Sequence, residues 1–351
     1  MSIQLFHIII SRTDNIGDVV LTLPLAGYLK HLYPGVRIDF LCRAYAAPVV
    51  RHCRFVDHVV TVESLEDDPQ AYFAASGADT VVFAFPKRQL AQAAKKAGIL
   101  NRVATSHRLY HWFFCNKLAH FSRARSMLHE TQLNLKLLQG LCIKSDLALD
   151  RIPAFYGLSA PSNAMVDALF DDHPFNLVLH PKSNGNGREW PIAHYAELAR
   201  LLQADAGIHV WITGSMAEGE WLATHGTALL RLPNVTNLCG KFDLDGLLAL
   251  IGASDGLVAS GTGPLHIAAA LGRPTLGLFP PIKPIDITRW GALGERAASM
   301  ESENKCGKCL DVNTCSCMQA IIPARVQQAV LAWRHQATAP LALAGDAEAT
   351  V

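Results

Sequence analysis

Three loops of the chain set charged and hydroxyl side chains beside glycine, each between an apolar run and an amphipathic one. The first is Ser11-Arg12-Thr13-Asp14-Asn15-Ile16-Gly17-Asp18. Gly17 permits close backbone approach, and amides at a helix start face an anion. Asp18 stands where the positive end of a helix favours an ionised carboxylate, so it reads either as a weak general base or as a plain cap. The G-x-G-x-x-G spacing of a dinucleotide site is absent. The second loop is His180-Pro181-Lys182-Ser183-Asn184-Gly185-Asn186-Gly187-Arg188-Glu189-Trp190-Pro191. Two cations, Lys182 and Arg188, with the Ser183 hydroxyl and flexible backbone suit a diphosphate. The third is Ala259-Ser260-Gly261-Thr262-Gly263-Pro264-Leu265-His266. Thr262 and the amides at Gly263 offer a phosphate cradle, Pro264 suits an early helical position, and His266 falls on the first turn. Two weaker signals fit a nucleoside. Glu218 follows a strand and is able to accept from ribose hydroxyls, and Phe242 is able to flank a base.

Nine cysteines are present. Five stand singly and read as small buried hydrophobes. The other four, Cys306, Cys309, Cys315 and Cys317, form a C-x₂-C-x₅-C-x-C cluster within twelve residues. Such spacing suits a structural zinc or iron; loop disulfides and reduced thiols are the competing readings.

The elements that must position these loops alternate. Strand patterns at 6–10, 37–42, 59–62 and 80–85 follow one another with a helix pattern over 19–32. After a break rich in proline and polar residues, the alternation restarts. Strands are expected at 176–180, 209–213, 234–238, 256–259 and 275–279, with helices at 192–206, 244–253, 264–271 and 324–334. This is an α/β pattern, and it predicts doubly wound parallel sheets whose ligands sit beyond the carboxyl ends of the strands. The expected organisation is one Rossmann-like domain over 1–165, a second over 166–325, and a terminal helix and tail over 326–351.

At 351 residues the chain is comfortable for two domains, and its net charge of +1 gives no global field for nucleic acid. No apolar stretch reaches the roughly 20 residues that span a bilayer. The apolar start Ile3 to Ile10 lacks a signal peptide's flanks and reads as a buried strand, so a cytoplasmic protein is expected. Basic residues gather in the later loops of the first domain, among them Lys87, Arg88, Arg102, Arg108, Arg123 and Arg125. They suit an anionic saccharide acceptor and peripheral contact with an anionic inner-membrane surface.

Taken together, Asn15-Ile16-Gly17-Asp18, His129-Glu130, Lys182 to Pro191, Gly214 to Glu218 and Thr262 to Gly272 resemble the heptosyltransferase family, glycosyltransferase family 9. The resemblance spans nearly the whole chain. It implies the GT-B architecture: two facing Rossmann-like domains, acceptor on the first and nucleotide sugar on the second. It implies an inverting transfer, usually of heptose from ADP-heptose to the lipopolysaccharide core, with no cofactor needed for catalysis. It maps the catalytic base onto Asp18 and the donor site onto Lys182, Ser183, Arg188, Glu218, Thr262, Gly263 and His266. Arg12, Arg108 and Arg123 fall to the acceptor side. Two departures stand out. Gly261 occupies a position where the family often has an aspartate that holds donor sugar hydroxyls, and Arg188 stands where lysine is common. Gly261 leaves the donor sugar open. The alternatives are a GT-B-fold sugar-nucleotide epimerase and an inactive nucleotide-binding assembly protein.

Overall fold

The computed structural model describes residues 5–65, 68–183, 185, 187–304 and 315–338. Two six-stranded parallel sheets carry the fold. The first comprises β1 (His7–Ser11), β2 (Arg37–Cys42), β3 (His58–Thr61), β4 (Thr80–Phe83), β5 (Asn101–Thr105) and β6 (Lys117–Ala119), in the order β3-β2-β1-β4-β5-β6. The second comprises β7 (Phe175–His180), β8 (Ile208–Ile212), β9 (Val235–Asn237), β10 (Gly256–Ser260), β11 (Thr275–Phe279) and β12 (Ala297–Glu301), in the order β12-β11-β10-β7-β8-β9. Each half is thus the same doubly wound unit, and the order reverses between β1 and β4 and between β7 and β10. Those two switch points are where ligands of open α/β sheets lie.

The central strands are buried over their whole length. Helices cover both faces of a parallel sheet, so its central strands read as unbroken apolar runs. This is why β1, β7 and β10 are plain in the sequence. β5, β6 and β12 are not: Asn101-Arg102 opens β5, β6 is a three-residue edge, and β12 is an edge strand that stays partly exposed.

The helix expected over 19–32 is two helices, Ile16–Val20 and Leu23–Leu32. Pro24 lacks an N–H and its ring would meet the carbonyl of Val20 in a continuous helix, so the chain restarts at Thr22. Helix Ala164–Phe170 spans the expected junction at 165–166 and packs on helix Leu244–Ala253 of the second half. The terminal helix Pro323–Thr338 packs on helix Ile192–Leu202 and buries Val326 and Val330 in the second half's core.

Helices Ile16–Val20 and Gly263–Ala270 meet between the halves. A Cβ added at Gly17 would lie 2.9 Å from His266 Cδ2, and one at Gly263 would lie 3.2 Å from Ile16 Cβ. Glycine at both positions is what allows this approach. The apolar cluster under the first sheet continues through Val19 and Val20 into Leu265, Ile267 and Ala268 of the second half. His52 and Asp245 add a link at 2.9 Å near the surface. Among the described residues, no helix is long and apolar enough to cross a membrane.

Candidate functional site

A cavity of about 260 Å³ opens between the halves, where their two switch points face each other. Asn15, Gly17 and Asp18 form its wall on the first half. Ser183, Gly187, Arg188, Gly261, Thr262, Gly263 and His266 face them from the second half, and Phe279, Pro280, Pro284, Ile285 and Trp290 close one side. The three loops singled out by composition therefore converge on one cleft.

The third loop leaves polar groups without partners among the described residues. Thr262 is the N-cap of helix Gly263–Ala270, yet its side chain makes no capping bond. Its hydroxyl is buried and has no hydrogen-bond partner among the described residues. Buried hydroxyls are seldom left unpaired, and the first amides of a helix lack internal partners. Both sets of donors lie on the cleft. His266 is buried one turn on, and its Nδ1 also lacks a partner among the described residues. Burial, with a contribution from His129, pushes its imidazole down to about 3, so it is neutral at physiological pH.

The second loop is held from within. Glu189 accepts from the Ser183 amide at 2.9 Å and lies 3.1 Å from Ser183 Oγ. It also pairs with Lys182 at 2.5 Å, while the Lys182 ammonium sits 3.9 Å from the centre of the Trp221 ring. Lys182 thus answers an acid of its own loop and does not line the cleft; of the two expected cations, Arg188 does. The loop presses close to its neighbour: a Cβ added at Gly187 would lie 2.8 Å from the Gly261 carbonyl oxygen. Gly261 itself faces Phe279, whose ring would meet an added Cβ at 2.8 Å. The space an acidic side chain would use at Gly261 is taken by that aromatic ring.

The first loop carries a buried ionic cluster. The Arg12 guanidinium pairs with Asp14 at 2.7 Å, with Glu130 at 3.0 Å and with Asp18. Glu130, in the first turn of helix Glu130–Leu135, also pairs with Arg123 and with Arg289 of the second half. The Arg289 guanidinium donates to the Arg123 carbonyl at 2.8 Å, and His129 Nε2 lies 3.0 Å from the Gly291 carbonyl. Burial raises Asp18 above the ordinary carboxylate range; Arg12 pulls it down and Glu130 adds to the rise. Asp14 is pushed up to about 6, again by burial against Arg12. A helix start favours an ionised Asp18, whereas burial, the largest influence here, pushes its proton affinity up. Glu130 goes the other way. Burial alone would raise it, but Arg123, Arg12 and Arg289 hold it low.

Other expected site residues lie off the cleft. Arg12 is 3 % exposed and faces the three acids, so the structure makes it a partner of Asp18 rather than an open acceptor ligand. Arg123 is engaged by Glu130 and Asn134. Arg108 is exposed ahead of helix Leu109–Phe114. Glu218 closes a capping box, accepting from the Ser215 amide at 2.7 Å. Phe242 packs over Gly246. Cys306 and Cys309 lie outside the described residues, while Cys315 and Cys317 are buried in the second core. Among the described residues, no group of three or more metal-ligating side chains is set to hold an ion. Glu130, Glu189, Arg289 and Trp290 are the site residues composition passed over; of these only Glu130 carried a signal, in the His129-Glu130 pair.

Lipopolysaccharide heptosyltransferase 1 of Escherichia coli is 24 % identical over 307 residues, covering 79 % of this chain and 89 % of its own. Lipopolysaccharide heptosyltransferase 2 of the same species is 37 % identical over 106 residues, 28 % of this chain and 29 % of that one. The solved structure of the E. coli ADP-heptose lipopolysaccharide heptosyltransferase II superimposes with a TM-score of 0.72 at 20 % identity, covering 95 % of this chain and 100 % of that one. The two facing sheets are thus a GT-B fold. The model of glycosyltransferase family 9 (heptosyltransferase) matches residues 88–319, which take in Glu130, Arg289 and the second and third loops but not Arg12 or Asp18, and the chain belongs to that family of glycosyltransferases.

Proposed function

We propose that the chain moves a sugar, heptose in the first instance, from an ADP-type nucleotide donor to a saccharide of the lipopolysaccharide core, with inversion at the anomeric carbon. The observation that carries the reading is the unpartnered Thr262 hydroxyl at the open start of helix Gly263–Ala270, set across one cleft from Asp18. The donor's diphosphate is received by Thr262, the amides at Gly263, Ser183 and Arg188. These donors meet the charge that develops on the leaving group. Neutral His266 presents its ring to the same place without adding charge. Asp18 takes the proton of the attacking acceptor hydroxyl as the new glycosidic bond forms and the bond to the diphosphate breaks. Burial strengthens it as a base, and Arg12 keeps it ionised. Lys182 serves the donor through Glu189, by holding the loop that presents Ser183 and Arg188. The exposed cations of the first half, Arg108 among them, suit an acceptor bearing phosphate. What supports the cytoplasmic face of the inner membrane as the place of action is the nucleotide donor this reading requires.

Transfer from ADP-heptose to a core saccharide, followed by product analysis, tests the proposal. Asp18→Asn is expected to lower kcat roughly 100- to 10,000-fold while donor affinity holds, and Thr262→Val to weaken donor binding. Near-normal kcat in Asp18→Asn removes it as the base. Isomerised donor in the absence of acceptor replaces the transferase reading with an epimerase.

A further inference from the structure

We propose that helix Leu109–Phe114 and the cationic surface around it form a membrane-docking face, which inserts aromatic side chains at the surface of an anionic bilayer. The inference deepens the reading above, which supplies a lipid-linked acceptor, and it stands on two features, a cationic surface shared with that acceptor and an apolar face that the transfer chemistry does not use.

The first is charge segregation. The whole chain is nearly neutral, with 31 basic and 30 acidic residues. Yet residues 80–129 contain no Asp or Glu and nine Lys or Arg. Lys87, Arg88, Lys95, Lys96, Arg108 and Arg125 are exposed. A surface of one sign this local complements an anionic partner.

The second is an apolar face turned outward in the middle of that surface. Leu109, Trp112 and Phe113 are 78 %, 58 % and 63 % exposed, and Leu100, whose carbonyl accepts from Asn116 just past the helix, is 69 % exposed. They are not loose. The helix is anchored by its inner side: His111 is buried with Nδ1 2.7 Å from the Thr105 carbonyl, and Phe114 and Tyr110 pack on the core behind the sheet. Trp112 Nε1 donates to the Ser106 carbonyl at 2.9 Å, so its one polar atom is already satisfied and the ring is presented as hydrocarbon. Lys95 Nζ donates to the Phe113 carbonyl at 2.8 Å, which fixes a cation at the rim. Aromatic and leucine side chains ringed by lysine and arginine are what an interfacial element needs: hydrocarbon to enter the headgroup boundary, and cations for the lipid phosphates. Nucleic acid would use the cations but gains little from exposed leucines. A second copy of this chain would bring two like-charged surfaces together. The helix follows β5 and starts at the carboxyl edge of the first sheet, the edge on which the cleft lies. Docking there sets the cleft beside the bilayer that carries a lipid-linked saccharide.

The test uses the full chain and vesicles of phosphatidylethanolamine with phosphatidylglycerol, against vesicles of phosphatidylcholine alone. Flotation is expected with the anionic vesicles only, weakening as salt is raised. The double variant Trp112→Ser/Phe113→Ser is expected to bind at least about tenfold more weakly, the loss implied by two buried aromatic side chains. Brominated lipid is expected to quench part of the tryptophan fluorescence of the parent chain, and that part is expected to vanish in Trp112→Phe. Turnover on a water-soluble acceptor saccharide is expected to stay unchanged in the double variant, which separates docking from transfer. No vesicle binding, undiminished binding by the double variant, or a concentration-dependent dimer that the double variant loses would each overturn the proposal.

Discussion

Asp18 is held between opposing influences. Burial and Glu130 push its proton affinity up, and the Arg12 guanidinium pulls it down. Since the proposed base acts only when deprotonated, activity should rise with pH through its raised value, placing the acid limb of kcat/KM above the ordinary carboxylate range. Replacing Arg12 with Gln removes the opposing cation, and the limb is expected to move to still higher pH; a pH–rate profile of the two proteins reads this directly. A limb that stays put or moves down would detach Arg12 from the base. His266 is expected to add no limb of its own near neutrality, because burial keeps it neutral. Much of this scale was legible in the sequence. Asp18, Ser183, Arg188, Thr262, Gly263 and His266 each follow a buried strand and open or precede a helix, a local pattern that places them at a sheet's carboxyl edge. The occupation of Lys182 by Glu189 and of Glu218 by the Ser215 amide was not legible, because loop composition shows which groups are available and not which neighbour takes them.

Among the elements, helix Glu130–Leu135 has the strongest hold on the site. Its first-turn carboxylate sits among three guanidinium groups, from Arg12, Arg123 and Arg289. Removing one partner of a buried ionic cluster leaves the others uncompensated, at a typical cost of about 3–5 kcal/mol. Glu130→Gln is therefore expected to lower the unfolding free energy by an amount of that order in urea titration at neutral pH. A change within about 0.5 kcal/mol would show the cluster to be indifferent to its centre. The sign with pH follows from the lowered folded-state value of Glu130. Its stabilisation is present above the ordinary carboxylate range and is lost as pH falls through the folded value. The gap between parent and variant should accordingly close in acid. Central strands and the long helices could be read from apolar periodicity, whereas β5, β6 and β12 escaped because polar or half-exposed strands lack it. The break at Pro24 was visible as a residue but not weighed against the apolar pattern that ran across it.

For the whole molecule, two copies of one architectural unit face each other across the cleft, and neither holds a complete site. The proposed base belongs to the first, and the proposed phosphate cradle to the second. Repetition of strand and helix after a polar break made the two units evident beforehand. How they meet was not, since Gly17 against His266 and Glu130 against Arg289 are contacts between segments far apart in the chain.

The Arg289–Glu130 pair links one wall of the cleft to the proposed base. Arg289 adjoins Trp290, and the segment that carries both walls the cleft. Glu130 ties that wall to Arg12, and Arg12 holds Asp18. One run of ionic contacts thus joins that wall to the proposed base. A glycosyl donor held in water is always open to a wasteful competitor, because water itself is a nucleophile. A wall fixed against the group that holds the base disfavours that side reaction by limiting where water can stand. Arg289→Met should break that link while leaving every donor-contacting group in place, so that partitioning shifts: more free sugar for each sugar transferred. Counting both products in one turnover assay would reveal it, and an unchanged ratio would mean that selectivity against hydrolysis resides elsewhere.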